Sequence, residues 1–248
     1  MLRENEKVKV DKMNLYYMIL AGGVGSRMKS PELPKQFLKI GDVPILVRTI
    51  RNFEDFGSFR AGVVCCPVDW VEYTKATLLQ YGISMDNVSV IPGGKNRNSS
   101  VKNGCRFLSE QFNIRDDDVI LTHDAVRPFI DARIIKDNIE AVNEYGACNT
   151  VMPVYDSVIR SSTGQFFTEH LHRAELYRVQ TPQSFKLVEL NNLINSLSES
   201  ELADYTDVAS IFADRGYRVR LVEGLDVNIK LTTPFDMAVA ETILANTP

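Results

Sequence analysis

The chain predicts an α/β fold of three layers, α/β/α, with helices on both faces of a mostly parallel sheet and one β-arm projecting from the body. Three observations carry this expectation. Short, wholly apolar runs, such as Leu15 to Leu20 and Ala61 to Cys66, read as strands covered on both faces. Through the first half these runs alternate with segments of helical periodicity, as strands joined by crossover helices do. The Gly-rich and charged clusters follow directly after predicted strands, at the carboxyl edge where such a sheet receives its ligands.

Composition sets the bounds. At 248 residues, 44% hydrophobic and 24% charged, the chain suits one large domain, taken as 15–248, after a charged segment over 1–14 that is expected to be disordered. A formal net charge of −4 leaves no overall positive field for a polynucleotide, so a nucleotide fits better than a nucleic acid as partner. No run approaches the ~20 apolar residues of a membrane span, so no membrane association and a cytoplasmic location are expected. Cys65, Cys66, Cys105 and Cys148 have no C-x-x-C spacing and form no zinc pattern with His123, His170 and His172, which favours reduced thiols.

Leu15 to Leu20 is the first strand, and it opens into Ala21-Gly22-Gly23-Val24-Gly25-Ser26. Pro44 to Phe56 carries Ile45, Leu46, Ile50 and Phe53 at helical spacing, with Pro44 in the permitted first turn. Ala61 to Cys66 is a strand, Val68 to Tyr81 a helix and Ser89 to Pro92 a strand. Ser99 to Leu108 is helical, and Val119 to Leu121 is a strand ending at Thr122-His123-Asp124. Ala132 to Tyr145 is a helix and Ala147 to Val154 returns to the sheet. Tyr155 to Gln180 breaks the rhythm with short alternating pieces around Ser161-Ser162-Thr163-Gly164, which suggests a projecting hairpin. Phe185 to Leu197 and Thr206 to Arg215 read as helices separated by the polar loop SLSESELADY. Arg218 to Val222 is a late strand and Pro234 to Leu244 a closing helix.

Three clusters carry chemistry. The turn after the first strand lets backbone N–H groups approach an anion with no Cβ in the way, and Arg27 and Lys35 are spaced to meet a charged ligand from two sides. Taken alone, it also reads as an ordinary strand-to-helix turn. Gly93-Gly94-Lys95-Asn96-Arg97-Asn98-Ser99-Ser100 reads equally as a ligand loop or as a helix start capped by Ser99 or Asn98. In Thr122-His123-Asp124-Ala125-Val126-Arg127, Asp124 lacks the further ligands of a protein-built metal cage and better suits a ligand hydroxyl or a Mg²⁺ brought by a nucleotide. Arg127 is compatible both with a site role and with an internal ion pair to Asp124 or Asp131. The spacing contains neither GxxxxGK[ST] nor GxGxxG, which argues against a P-loop kinase or a dinucleotide-binding dehydrogenase.

LAGGVGSRM followed by LPKQFL, with HDAVRP, YRVQTPQSF, TDVAS and VNIKLTT in order, resembles the CDP-polyol cytidylyltransferase family, whose members act on ribitol 5-phosphate or 2-C-methyl-D-erythritol 4-phosphate. The resemblance spans Ala21 to Thr233 and implies a Rossmann-like nucleotidyltransferase fold. It implies catalytic roles for Arg27, Lys35, Arg173 and Lys230. CTP would contact Leu20, Ala21, Gly22, Gly23, Gly94, Lys95, Arg97, Ser100, Asp124 and Ala125. The acceptor would meet Asp124, Arg127, Ser157, Arg173, Asp207 and Lys230. Mg²⁺ would enter with CTP, and the arm at about 155–180 would build a homodimer.

Charge balance favours these roles. Joining a sugar phosphate to CTP unites two polyanions, and fixed cations must absorb the charge that gathers as pyrophosphate leaves. LPKQF, RNSSVKN, THDAVRPF and the Thr232-Thr233 pair look more like the ribitol enzymes, whereas HDA and VEG-x-x-x-NIK are equally at home in the methylerythritol group. A uridylyl- or guanylyltransferase, and a silent nucleotide-binding protein on the same fold, are the competing readings. The second would predict loss of Arg27, Lys35, Arg173 or Lys230, and all four are present.

Overall fold

The structure, a computed structural model, describes residues 13–23 and 33–246. Arg27, the turn from Val24 to Ser26 and the first twelve residues of the expected extension lie outside the described residues. Asn14 is fastened rather than frayed, since its backbone N–H and its Nδ2 donate to Asp118 Oδ1 at 2.8 and 3.0 Å.

Strand β1 (Leu15–Leu20) is buried along its whole length. A two-residue ribbon follows, β2 (Lys39–Ile40) with β3 (Val43–Pro44), and leads into helix α1 (Ile45–Phe56). The alternation continues through β4 (Phe59–Cys66), α2 (Val71–Gln80), β5 (Val88–Pro92), α3 (Arg97–Gln111), β6 (Val119–Asp124), α4 (Ala132–Tyr145) and β7 (Ala147–Pro153). The arm holds β8 (Ile159–Arg160) and β9 (Glu169–His170), paired antiparallel and joined by an Arg160–Glu169 ion pair at 2.8 Å. Then come β10 (Tyr177–Lys186), α5 (Leu187–Asn195), α6 (Glu199–Asp204), α7 (Val208–Asp214), β11 (Val219–Glu223) and α8 (Pro234–Asn246).

Among the described residues the central sheet has seven strands in the order β11-β7-β10-β6-β1-β4-β5. Every neighbouring pair is parallel except the two made by β10, which runs antiparallel to β6 and β7. The alternation of Cβ directions in a strand sorts β1 between the two helical layers. Tyr17 and Ile19 pack with Leu46, Ile50 and Phe53 of α1 and with Ile134 and Val142 of α4. Tyr16 and Met18 face Val101 and Leu108 of α3, Leu190 of α5 and Phe212 of α7. Cutting fully buried Phe53 back to Ala would destabilise the first layer by about 3–5 kcal/mol.

Three expectations need correction. The stretch expected to end the arm at Gln180 and begin a helix at Phe185 is one long strand, β10, in the middle of the sheet. The arm is the connection of a β7–β10 hairpin, so β10 must run back against its neighbours. The polar SLSESELADY contains α6, started by a capping box in which Ser198 and Glu201 each hold the other's backbone N–H. Helix α3 begins at Arg97, and its cap is Asn96, whose side chain accepts from Ser99 N, rather than Asn98 or Ser99.

Candidate active site

The carboxyl ends of β1 and β6 and the loop after β5 converge on one cleft of about 230 Å³, with the end of β4 bonded to the segments on either side of it. Parallel pairing brings them level: Ala21 N donates to Cys65 O at 2.8 Å, Gly93 N to Cys66 O at 2.7 Å and Ala125 N to Leu20 O at 3.1 Å. The loops that leave these strands therefore share one rim. Leu20, Ala21, Gly22 and Gly23 form one wall, Gly94, Lys95, Arg97 and Ser100 face them, and Asp124, Ala125, Lys35 and Lys230 also line the cleft.

The wall after β5 is closed on itself. Ser100 Oγ accepts from Gly94 N at 2.9 Å and donates to Asn96 O at 2.8 Å, which folds the Gly93–Asn96 turn over the first turn of α3. A Cβ on Gly94 would run into the Ser99 backbone, so only glycine permits this approach. On the opposite wall, the space beside Gly23 is bounded by Lys35 Cε at 3.5 Å. Lys35 opens a short 3-10 turn, Lys35–Phe37, whose next residue, Gln36, is buried and donates from Nε2 to Ala21 O at 2.8 Å. Phe37 stacks on Trp70 with centroids 5.4 Å apart and fixes the turn to the start of α2. Phe37 and Gln36 together hold the Lys35 backbone at the rim.

Asp124 is the electrostatic centre. Three cations surround its buried carboxylate: Lys230 Nζ at 2.8 Å, Arg97 Nε at 3.4 Å and Arg127 Nε at 3.8 Å. Burial opposes its ionisation, but Arg97, Lys230 and Arg127 outweigh burial and hold the carboxyl well below the usual carboxylate range. One carboxylate offering hard oxygens suits a Mg²⁺ that brings the rest of its shell from a triphosphate and water. Among the described residues, no group of three or more His, Cys, Asp or Glu side chains is placed to hold a metal by itself.

His123 precedes Asp124 on β6 and points to the other face, edge-on to Phe53 at 5.2 Å. Its Nε2 donates to Arg127 O at 3.0 Å, because a carbonyl only accepts. Its Nδ1 then accepts from Thr181 Oγ1 at 3.0 Å, and the same hydroxyl accepts from Asp124 N at 3.2 Å. Burial lowers the imidazole pKa to about 4, so the ring is neutral at pH 7 and orients the turn that carries Asp124.

The remaining expected residues lie elsewhere. Arg127 sits behind the cleft: its Nη1 donates to Asn228 O at 2.6 Å and its Nη2 to Val179 O at 3.4 Å, so its guanidinium is committed to the scaffold. Asp207 caps α7, accepting from Ser210 N and from Gln183 Nε2, both at 2.9 Å, and does not line the cleft. Ser157 and Arg173 line a separate concavity of about 870 Å³ in the arm, where Arg173 Nη1 donates to Tyr155 O at 2.7 Å. Gln36, Asn96, Val126 and Thr181 complete the site without having been singled out in the sequence. For Gln36 the signal was its place beside Lys35 in PKQF, and for Asn96 its place before a helix.

The arrangement is an anion-receiving cleft with a cationic rim, suited to phosphoryl or nucleotidyl transfer between bound substrates. Comparison with known proteins agrees. The family model for IspD, 2-C-methyl-D-erythritol 4-phosphate cytidylyltransferase, matches residues 15–246. The chain is 44% identical over 230 residues to a ribitol-5-phosphate cytidylyltransferase of Lactiplantibacillus plantarum, covering 93% of this chain and 98% of that protein. It resembles the 2-C-methyl-D-erythritol 4-phosphate cytidylyltransferase (IspD) of Francisella tularensis, with TM-score 0.77, 27% identity and coverage of 92% and 99%. A 4-diphosphocytidyl-2C-methyl-D-erythritol synthase of Anaerococcus prevotii shares the fold, with TM-score 0.77 at 24% identity over 96% and 98% of the two chains.

Proposed function

We propose that this chain, which belongs to the IspD cytidylyltransferase family, joins CTP to ribitol 5-phosphate and releases CDP-ribitol and pyrophosphate. The observation that carries the choice of acceptor is the likeness to the L. plantarum ribitol enzyme across almost the whole of both chains. The nucleotide lies between the Ala21–Gly23 and Gly94–Ser100 walls, where backbone groups beside the Gly93-Gly94 turn reach the narrow edge of a pyrimidine. Lys35 faces the α-phosphate, a role the family resemblance gives to Arg27 as well, and Lys230 receives the acceptor phosphate beside Asp124. A phosphate oxygen of the acceptor attacks the α-phosphorus, the bond to pyrophosphate breaks, and no general base is needed because a phosphate monoester is already anionic at neutral pH. The chemistry supplied by Mg²⁺, when it arrives with the nucleotide, is neutralisation of the triphosphate and of the leaving pyrophosphate.

The working unit in this reading is a homodimer. Ser157 and Arg173 lie in an arm that exposes Tyr155, Phe166 and Phe167, and neither residue lines the cleft of its own chain. A two-stranded element is marginal alone, and a two-fold partner would cover its apolar face. The setting is the cytoplasm, consistent with four free, buried cysteines. Among the described residues no helix is long and apolar enough to cross a membrane.

A second reading, 2-C-methyl-D-erythritol 4-phosphate as acceptor, is favoured by the family model and by the solved structures that share the fold. Product formation from CTP with each polyol phosphate in turn separates the two. The expected result is a kcat/KM at least about tenfold higher for ribitol 5-phosphate, roughly 1.4 kcal/mol of transition-state discrimination. The reverse preference would assign the methylerythritol reaction.

A further inference from the structure

We propose that Gln180 is a positioning residue for Lys230, acting through the segment that carries it. The inference rests on the reading of Lys230 as the group that receives the acceptor phosphate. Opposite β7, the register of β10 shifts between Val179, paired with Val151, and Gln183, paired with Asn149. Gln180, Thr181 and Pro182 thus oppose Thr150 alone, and such a bulge re-aims side chains that a regular ladder would point elsewhere.

Gln180 uses that freedom on the segment between β11 and Lys230. Its Nε2 donates to Leu225 O at 2.8 Å, and its Oε1 accepts from Leu225 N at 3.3 Å and from Asn228 Nδ2 at 3.2 Å. The amide is buried, and it lies where a Cβ on residue 224 would stand, so glycine at 224 makes room for it. Asn228 is fully buried, donates from Nδ2 to Thr181 O at 2.9 Å and offers its own carbonyl to Arg127. On the far side of Lys230, Leu231 N donates to Val126 O at 2.9 Å. Lys230 is therefore held between two fixed points, one of which depends on Gln180. Its ammonium is half exposed and is tied to Asp124 at 2.8 Å, so the backbone that carries it decides how that contact is aimed. A displacement of the order of 1 Å in such a group can cost about 100-fold in rate.

The test is a double-mutant cycle in the full-length enzyme, with steady-state kinetics in CTP and in the polyol phosphate and thermal unfolding of each variant. Gln180→Met is expected to lower kcat/KM for the polyol phosphate about 10- to 100-fold while the KM for CTP stays within about threefold. On a Lys230→Ala background the same change should cost less than about threefold, because its route of action is gone. Gly224→Ala displaces the Gln180 amide from the other side and should give the same split, which serves if Gln180→Met does not fold. A lowered Tm with both kinetic parameters intact, an equal effect on both substrates, or full multiplication of the two losses would overturn the proposal. If Lys230→Ala alone leaves turnover of the polyol phosphate unchanged, the reading of Lys230 itself fails, and that is seen before Gln180 is considered.

Discussion

Lys230 Nζ lies 2.8 Å from Asp124 Oδ2, which joins a cation from the last loop of the chain to the carboxylate that ends a central strand. Arg97 and Arg127 share the same carboxylate, so one negative charge fixes two cations that line the cleft and a third behind it. The pairing is more than a surface ion pair, because the Asp124 side chain is only 9% exposed.

Asp124→Asn should therefore act on stability and turnover together. It leaves Arg127 buried beside a neutral amide and removes the charge that orders Lys230. Breaking a fully buried pair costs about 3–5 kcal/mol, and the partial exposure of Lys230 and Arg97 reduces the expectation here to roughly 2–3 kcal/mol. Urea unfolding measures the stability and CDP-product formation the turnover. An Asn variant as stable as wild type would mean that the three cations do not depend on Asp124.

His123 predicts a pH dependence of stability. Its folded-state pKa, lowered to about 4 by burial, lies below the ordinary value of about 6.5, so the unfolded chain binds more protons between these limits. The neutral ring's contribution is fully present above pH 6.5 and is lost as pH falls towards 4, a change of about 3 kcal/mol. His123→Gln should flatten the unfolding free energy across that window. Parallel pH profiles for wild type and variant would contradict the assignment.

Much of this site was legible before the fold was known, because its parts follow strands that open on short apolar runs. Leu15–Leu20 needs no partner to be recognised as a buried strand, whereas the Gly-rich turn after it, taken alone, reads equally as an anion grip or as an ordinary strand-to-helix turn. β10 was not legible for the opposite reason. Gln180, Thr181, Gln183 and Ser184 are buried polar residues, so the strand carries no apolar run, and what satisfies them comes from distant segments. Helix α6 was hidden by having Leu202 as its single buried residue, although its capping box was written in the sequence. Arg127 matched a family motif, but its partners Asn228 and Val179 appear only when the chain is folded.

Lys35→Ala and Arg27→Ala should each lower kcat by about 10²- to 10³-fold and weaken CTP binding far less, since their charge matches the transition state rather than the bound nucleotide. Steady-state kinetics with CTP varied at saturating acceptor separates the terms. A large rise in KM at unchanged kcat would show them to be anchors of the ground state.

Turnover should require Mg²⁺ and stop with chelator, while protein purified without nucleotide should retain no stoichiometric metal. Asp124 offers one carboxylate already shared by three cations, which is too little for a resident ion and enough for one that arrives on a triphosphate. Metal analysis of dialysed protein tests the second half, and tightly held metal would refute it.

The last prediction concerns the arm. Arg173 is exposed, bonds within its own arm to Tyr155 O and is absent from the cleft that holds Lys35. If Arg173 serves the partner's site while Lys35 serves its own, inactive Arg173→Ala subunits and inactive Lys35→Ala subunits should complement each other. In a mixed dimer, one site receives wild-type Lys35 from its own chain and wild-type Arg173 from the partner, and the other site lacks both. Random exchange makes half of the dimers mixed, so activity should return to about a quarter of wild type. The subunits must be exchanged by mild denaturation and refolding, and differently tagged chains verify that mixed dimers formed. Each variant refolded alone should stay inactive, which excludes recovery by refolding itself. An inactive preparation of verified mixed dimers, or a fully active monomer, would leave Arg173 acting within its own chain or outside the reaction altogether.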